Sequence, residues 1–307
     1  MSRIHYLRAS ASFSVMALAA AAVLVTAAQI PAAASAKPPT EKSYYITTTS
    51  HSTLQNLGCD QAKADNSNGR ASKVLLDFGG QTGDANGSTL DLPLINQHVA
   101  YTTVQVLAEY FVLGYGSCTN HIQWTQEAIG TNNSLTVNSR TGGFFATWVV
   151  DPVVHYANSW NSRVVVEGAD DVEPLFGSAS NAIAWVDAFL TNGSSDFYTN
   201  FGSADGCPPA GSCLNGWTQH DIYVVSMYYT HEYFAPEIYF NPPPGSPINA
   251  EQWAAINKSQ AGGSMLPDGP LDEYPRDHSS NTAAQAWSEF DPLFPKSGHS
   301  MEITATP

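Results

Sequence analysis

The stretch "RVVVEGADDVEP", residues 163–174, sets four carboxylates, Glu167, Asp170, Asp171 and Glu173, directly behind a β-branched run in a chain only 13% charged. A short run of Val with no helical spacing reads as a strand covered on both faces, the signature of a parallel sheet. Charge then belongs at its C-terminal end, where a parallel barrel opens to solvent and collects its functional groups. In an extended segment residues i and i+2 share a side, so Asp171 and Glu173 project together, roughly 6.5 Å apart along the backbone, and Asp170 points away.

Working outward, strands alternate with helices. "KVLLDFGGQ" (73–81) reads as a buried strand entering a Gly loop, and "IQWTQEAIGTNNS" allows a short strand before Asn132 and Asn133. "DFYTNFGS" (196–203), "DIYVVSMYY" (221–229) and "PEIYF" (236–240) read as further strands. Helical spacing marks 96–116, 143–160 with a kink or a break into two segments at Pro152, 178–193, 249–259 and 282–290. This alternation predicts an α/β fold, a (β/α) TIM-type barrel with mainly parallel strands, irregular or incomplete because only about six strands are legible. Residues 71–295 form the expected barrel, 37–70 an N-terminal loop segment, and 296–307 a polar tail.

The N-terminus has a basic lead "MSRIHYLR", an apolar run "FSVMALAAAAVLVTAA" and small residues at Ala34 and Ala36, so residues 1–36 read as a secretory signal peptide. The alternative is a membrane anchor, but the run is Ala-rich and short for a bilayer; no later segment is long enough to span one. The expected location is extracellular. The chain carries 4 cysteines. Export makes two disulfides the natural outcome. Cys207 and Cys213 flank a Pro/Gly loop that a local bridge closes, which leaves Cys59 with Cys118. A formal net charge of −15 argues against nucleic acid, which binds through neutralised phosphates, and leaves a neutral glycan as a suitable partner. No nucleotide-binding motif is present, so no cofactor is expected.

If the strands are parallel, Asp77, Asn133, Asp171, Glu173, Asn200 and Asp205 converge on one mouth, with Tyr198 and Trp217 among the flanking aromatics that sugar rings pack against. Paired carboxylates cannot both ionise easily, so one is raised into the range of a general acid, as glycoside hydrolysis requires. The same acids would also suit the entrance to the helix at Ser178, or a calcium site of Asp170, Asp171 and Asp205.

The order "LLDFGG", "GADDVEP", "DFYTN" resembles the strand motifs of glycoside hydrolase family 25 lysozymes. "EIYF…EQW" and "FGSADGCP…CLNGW" are similar to secreted glycoside-hydrolase-like barrels of unknown function. The resemblance covers roughly residues 70–260. It implies Glu173 as general acid, Asp171 as its carboxylate partner and Asp77 as the group that positions substrate. The region around Met227 lacks the Trp-rich acidic pattern of an active lysozyme. Two functions therefore stand: a secreted glycosidase on a cell-wall or environmental polysaccharide, and a non-catalytic extracellular glycan-binding barrel.

Overall fold

The Val-rich run does form a strand, and what holds it there is a set of parallel neighbours on both sides. The computed structural model describes residues 36–82, 89–92, 95–132, 137–160, 162–175, 177–193, 197–227, 232–239, 249–276, 280–295 and 297–307. The signal-peptide reading of the first 36 residues falls outside them but for Ala36, and so does Asn133. The elements run β1 (Glu41–Tyr45), α1 (His51–Asn68), β2 (Ser72–Thr82), a hairpin of β3 (Thr89–Leu92) and β4 (Gln97–Ala100), α2 (Tyr101–Cys118) and β5 (Thr125–Asn132). Then come α3 (Ser139–Phe145), α4 (Asp151–Ser159), β6 (Val164–Asp171), α5 (Ala179–Asn192), β7 (Tyr198–Asn200) and α6 (Gln219–Met227). The remainder is β8 (Glu232–Phe234), α7 (Asn249–Gln260), β9 (Leu271–Asp272), α8 (Ala283–Phe290) and β10 (Met301–Ala305).

Among the described residues, eight parallel strands follow the order β8-β7-β6-β5-β2-β1-β10-β9. The two ends of that path meet through parallel bridges Phe234–Pro267 and Glu237–Leu271. The protein is thus an α/β barrel of TIM type, irregular in that β7, β8 and β9 are only two or three residues long. An inner cluster that includes Leu75, Ala128, Ala169, Phe201, Leu271 and Ile303 fills the barrel. A larger outer cluster, with Val164, Val166 and Phe189, joins sheet to helices. Lower in the barrel, buried Lys73 bridges Glu167 and Asp268 and donates to Thr199 Oγ1 at 2.7 Å. Removing one member of such a set would leave a buried charge uncompensated.

Four expectations need correction. Residues 221–227 of the expected strand 221–229 are not a strand: residues 219–227 are α6, started by a reciprocal pair in which Thr218 N donates to Asp221 Oδ2 (2.8 Å) and Asp221 N to Thr218 Oγ1 (3.2 Å). That T-x-x-D cap outweighs the β-branched propensity behind it. The sixth barrel strand is instead β8, and the described residues 236–239 of the expected strand 236–240 hold a single bridge at Glu237. Residues 37–70 hold β1 and α1 rather than a loop, and the polar tail contains β10, which pairs residue for residue with β1 from Glu41–Met301 to Tyr45–Ala305. These strands were hidden because they are short and their burial comes from distant partners.

Other expectations hold. The expected interruption around Pro152 takes the form of two segments: a π-helical turn over Ala146–Val150 separates α3 from α4, whose first turn takes the proline. Both disulfides form, Cys59–Cys118 and Cys207–Cys213. The first ties α1 to α2 where two glycines let the helices touch. A Cβ at Gly114 would lie 1.9 Å from Gln55 O, and one at Gly58 would lie 2.1 Å from Phe111 O. Gly114→Ala is therefore expected to cost about 3 kcal/mol or more, because backbone rather than a movable side chain must give way; a denaturant midpoint unchanged from the parent would contradict this contact. Among the described residues no helix is long and apolar enough to cross a membrane.

Candidate active site

The four acids of the opening stretch part company according to strand parity. Ala169 belongs to the inner cluster and Val164 and Val166 to the outer one, so odd positions of β6 face the barrel interior and even positions the helices. Glu167 is spent on Lys73 inside the barrel. Asp170, fully buried, faces the helix layer, which separates it from Asp171 and Asp205 and disposes of that calcium set. Asp171 and Glu173 reach the mouth on the same side, as the i, i+2 spacing predicts.

There they meet a residue that the sequence reading left out. Glu237, just beyond β8, completes a triad in which one carboxylate oxygen each of Asp171, Glu173 and Glu237 lie within 4.8 Å of one another. They line a cavity of about 450 Å³ together with Tyr45, Asn132, Ser203, Asp205, Tyr239, Asn249, Glu273 and Arg276. Glu173 Oε1 accepts from Ser203 N at 3.1 Å, and Glu173 also shares a hydrogen bond with Glu237. Tyr239 donates its hydroxyl to Glu237 Oε1. Glu273 pairs with Arg276, whose guanidinium lies 4.9 Å from the Tyr45 ring centre.

Burial is the main reason that every acid of the triad binds its proton more tightly than usual. Asp171 is raised well above the ordinary range by desolvation and then by the charge of Glu173. Glu237 is raised well above it by desolvation and by Asp171 and Glu173. Glu173 is raised by desolvation, with the Ser203 hydrogen bonds opposing. Three clustered carboxyls in a half-closed cavity cannot all ionise, so at least one proton stays among them.

Asp77 sits one layer below, fully buried, and does not line the cavity. It accepts from Gly79 N at 2.7 Å. The Asn132 amide, with its nitrogen turned toward Asp77, donates to both carboxylate oxygens at 2.6 and 3.0 Å. The β2–β5 register shifts between Asp77 and Gly80, and Gly79 takes φ 78, a left-handed conformation that glycine supplies at least cost. Burial raises Asp77 to about 7. Its contact with the cavity runs through Asn132.

The expected binding residues divide. Asp205 lines the cavity, accepting from Asn249 Nδ2 at 2.7 Å. Tyr198 and Asn200 do not: register pairs them with Gly168 and Asp170, on the helix-facing side of the sheet. Tyr198 packs 6.0 Å from Trp185 and 5.9 Å from Phe189, ring centre to ring centre. Asn200 is a tie. Its Oδ1 accepts from Val172 N (3.2 Å) and Gly202 N (2.9 Å), and its Nδ2 donates to Ser226 Oγ (2.8 Å), which fixes the backbone just before Glu173. Trp217 is buried and donates Nε1 to Gly177 O at 2.8 Å, holding the β6–α5 connection. The sequence signal that would have found Glu237 and Glu273 is an acid just past a strand end, but β8 and β9 are too short to be read as strands, and the strand expected at 236–240 put Glu237 inside it.

No family model matches the chain, and no curated protein matches it. Among solved structures it is similar to the endo-1,4-beta-mannanase from Rhizomucor miehei, with 11% sequence identity, a TM-score of 0.46, and coverage of 86% of this chain and 84% of that one.

Proposed function

We propose that this is a secreted glycoside hydrolase acting on a polysaccharide of the cell wall or the environment, with Glu173 as general acid. The observation that carries the reading is the triad of half-buried Asp171 and buried Glu173 and Glu237 at the barrel mouth, one oxygen of each within 4.8 Å of the others. Glu173 is assigned as the proton donor because burial raises its affinity for a proton and the Ser203 amide fixes its orientation. Glu237, aimed by the Tyr239 hydroxyl, is the second carboxylate, a place that sequence spacing alone gives to Asp171. Asp171 stands beside both, and its charge raises Glu237. Asp77 acts through Asn132 as a positioning residue. Tyr239 offers ring surface to sugar, and Asp205 and Asn249 offer hydrogen-bonding groups. The family 25 resemblance of "LLDFGG", "GADDVEP" and "DFYTN" supports the same assignment of Glu173. The two disulfides fit the oxidising surroundings that export would provide.

Carboxyl groups near 5 Å suit a covalent glycosyl intermediate, whereas about 6.5–9.5 Å would leave room for an inverting water. The triad's oxygens, all within 4.8 Å of one another and closer between Glu173 and Glu237, leave no room for that water, so the expected product keeps the anomeric configuration of the substrate. Incubating the mature protein with peptidoglycan, chitin-type and neutral polysaccharides, then following new reducing ends by proton NMR before mutarotation, tests both points. No release from any of them removes the enzyme reading. Sedimentation with one glycan in that case would make the protein a binding barrel.

The same three carboxylates could instead hold a divalent cation, which takes oxygen ligands at such spacings. A rise in thermal midpoint with calcium that Glu237→Gln abolishes would establish that second role.

A further inference from the structure

The opposite end of the barrel carries aromatic surface that the mouth does not explain. Trp124 immediately precedes β5 and is 40% exposed; Trp160, just after α4, is 37% exposed. Beside them lie Ile122 and Val165, both exposed. A cavity of about 450 Å³ opens here, lined by Trp124, Ala157, Asn158, Ser162, Arg163, Val164 and Val165. Trp160 borders it: a Cβ placed on Gly116 would lie 2.5 Å from Trp160 Cη2 and 3.2 Å from Ser162 Cα, so the ring tip, the bare helix backbone and the cavity wall converge. Arg163 makes no ion pair among the described residues and has φ 65, with its carbonyl accepting from Thr125 N at 3.1 Å. That backbone conformation is costly for a residue with a side chain, and the sheet holds it in place. Eight-residue strands put this face about 26 Å from the triad.

We infer that this N-terminal face is a second, non-catalytic polysaccharide-binding site, with Trp124 and Trp160 as stacking platforms and the exposed Asn158 and Arg163 as hydrogen-bonding groups. The ligand class follows from the mixture. Apolar rings beside neutral hydrogen-bonding groups match a pyranose, which has apolar faces and a hydroxyl rim. A single cation on a molecule of net charge −15 does not suit a polyanion. The choice of polysaccharide rests on the reading of the mouth, while the geometry of this face is independent of it. Two sites so far apart would engage one long chain, or two neighbouring chains, and keep the mouth close to polymer between cleavages.

Affinity electrophoresis of the full chain through gels containing hydroxyethylcellulose, xylan or galactomannan tests this. Glu173→Gln should be retarded like the parent in at least one gel, and Trp124→Ala should lose retardation at least tenfold, with Arg163→Ala intermediate. Turnover of a short soluble oligosaccharide should be unchanged by Trp124→Ala. Retardation that survives Trp124→Ala and Trp160→Ala, or no retardation in any of the three gels, overturns the proposal. Because Trp160 packs on Gly116, Trp124→Ala decides the matter if Trp160→Ala lowers the thermal midpoint. Trp124-dependent retardation in a protein that hydrolyses nothing would refute the catalytic reading and leave this site standing.

Discussion

Glu173→Gln is expected to reduce hydrolysis of an unactivated polysaccharide by about three orders of magnitude, within the range that a positioned general acid contributes. The thermal midpoint should not fall. Replacing one acid of a crowded, buried group removes repulsion and desolvation cost while keeping an oxygen to accept from Ser203 N. The partner carboxylate is separated from the acid by leaving-group chemistry. An aryl glycoside with an acidic phenol needs little protonation, so Glu173→Gln should regain much of its first-step rate on it. Glu237→Gln should not, because the group that attacks or stabilises the anomeric centre is missing whatever the leaving group. Equal losses for both variants on both substrates would refute these roles. A midpoint several degrees lower for Glu173→Gln would mark the residue as structural.

The second large effect is on stability. Buried acids with raised affinity for protons make the folded state bind more protons than the unfolded chain does. For Asp77 the folded value is about 7 against an ordinary 3.8. The stabilisation is fully present below about pH 4 and is lost as pH rises through 7, an amount on the order of 4 kcal/mol by the usual conversion. Asp272, raised to about 7, acts in the same direction, as do Glu127, Asp170, Asp171 and Glu237. Chemical unfolding followed from pH 4 to pH 8 should show stability highest in mild acid. Asp77→Asn should flatten that decline, since an amide still accepts from Gly79 N and Asn132 can turn its own oxygen inward. A stability that climbs from pH 4 to pH 8 would mean these carboxyls are ionised and compensated in the fold.

Much of this was legible in the sequence where the signal is local. β2, β6 and β7, the helices α2 and α5, and both disulfides follow from periodicity, caps and cysteine placement. So does the convergence of Asp171 and Glu173, which needs only alternation along one strand. What stayed hidden depends on tertiary context. Three residues of β8 and two of β9 carry no period, so Glu237 and Glu273 could not be placed at strand ends. Tyr198 and Asn200 looked like mouth residues until the register with Gly168 and Asp170 turned them to the helix side. The Val-Val of α6 misled because a Thr–Asp cap decides that segment.

The β1–β10 pairing has a kinetic consequence. Its five partners lie about 260 positions apart, as the Thr47–Thr306 hydrogen bonds beside it show with a separation of 259. Contacts that distant form late, because loop closure must be paid before they return anything. A chain cut at residue 295 would keep seven of the eight parallel strands but leave β1 and β9 each with an open edge. Such edges template pairing between molecules. The protein is thus aggregation-prone until its final stave is seated, and any chaperone it meets has most to do at that moment.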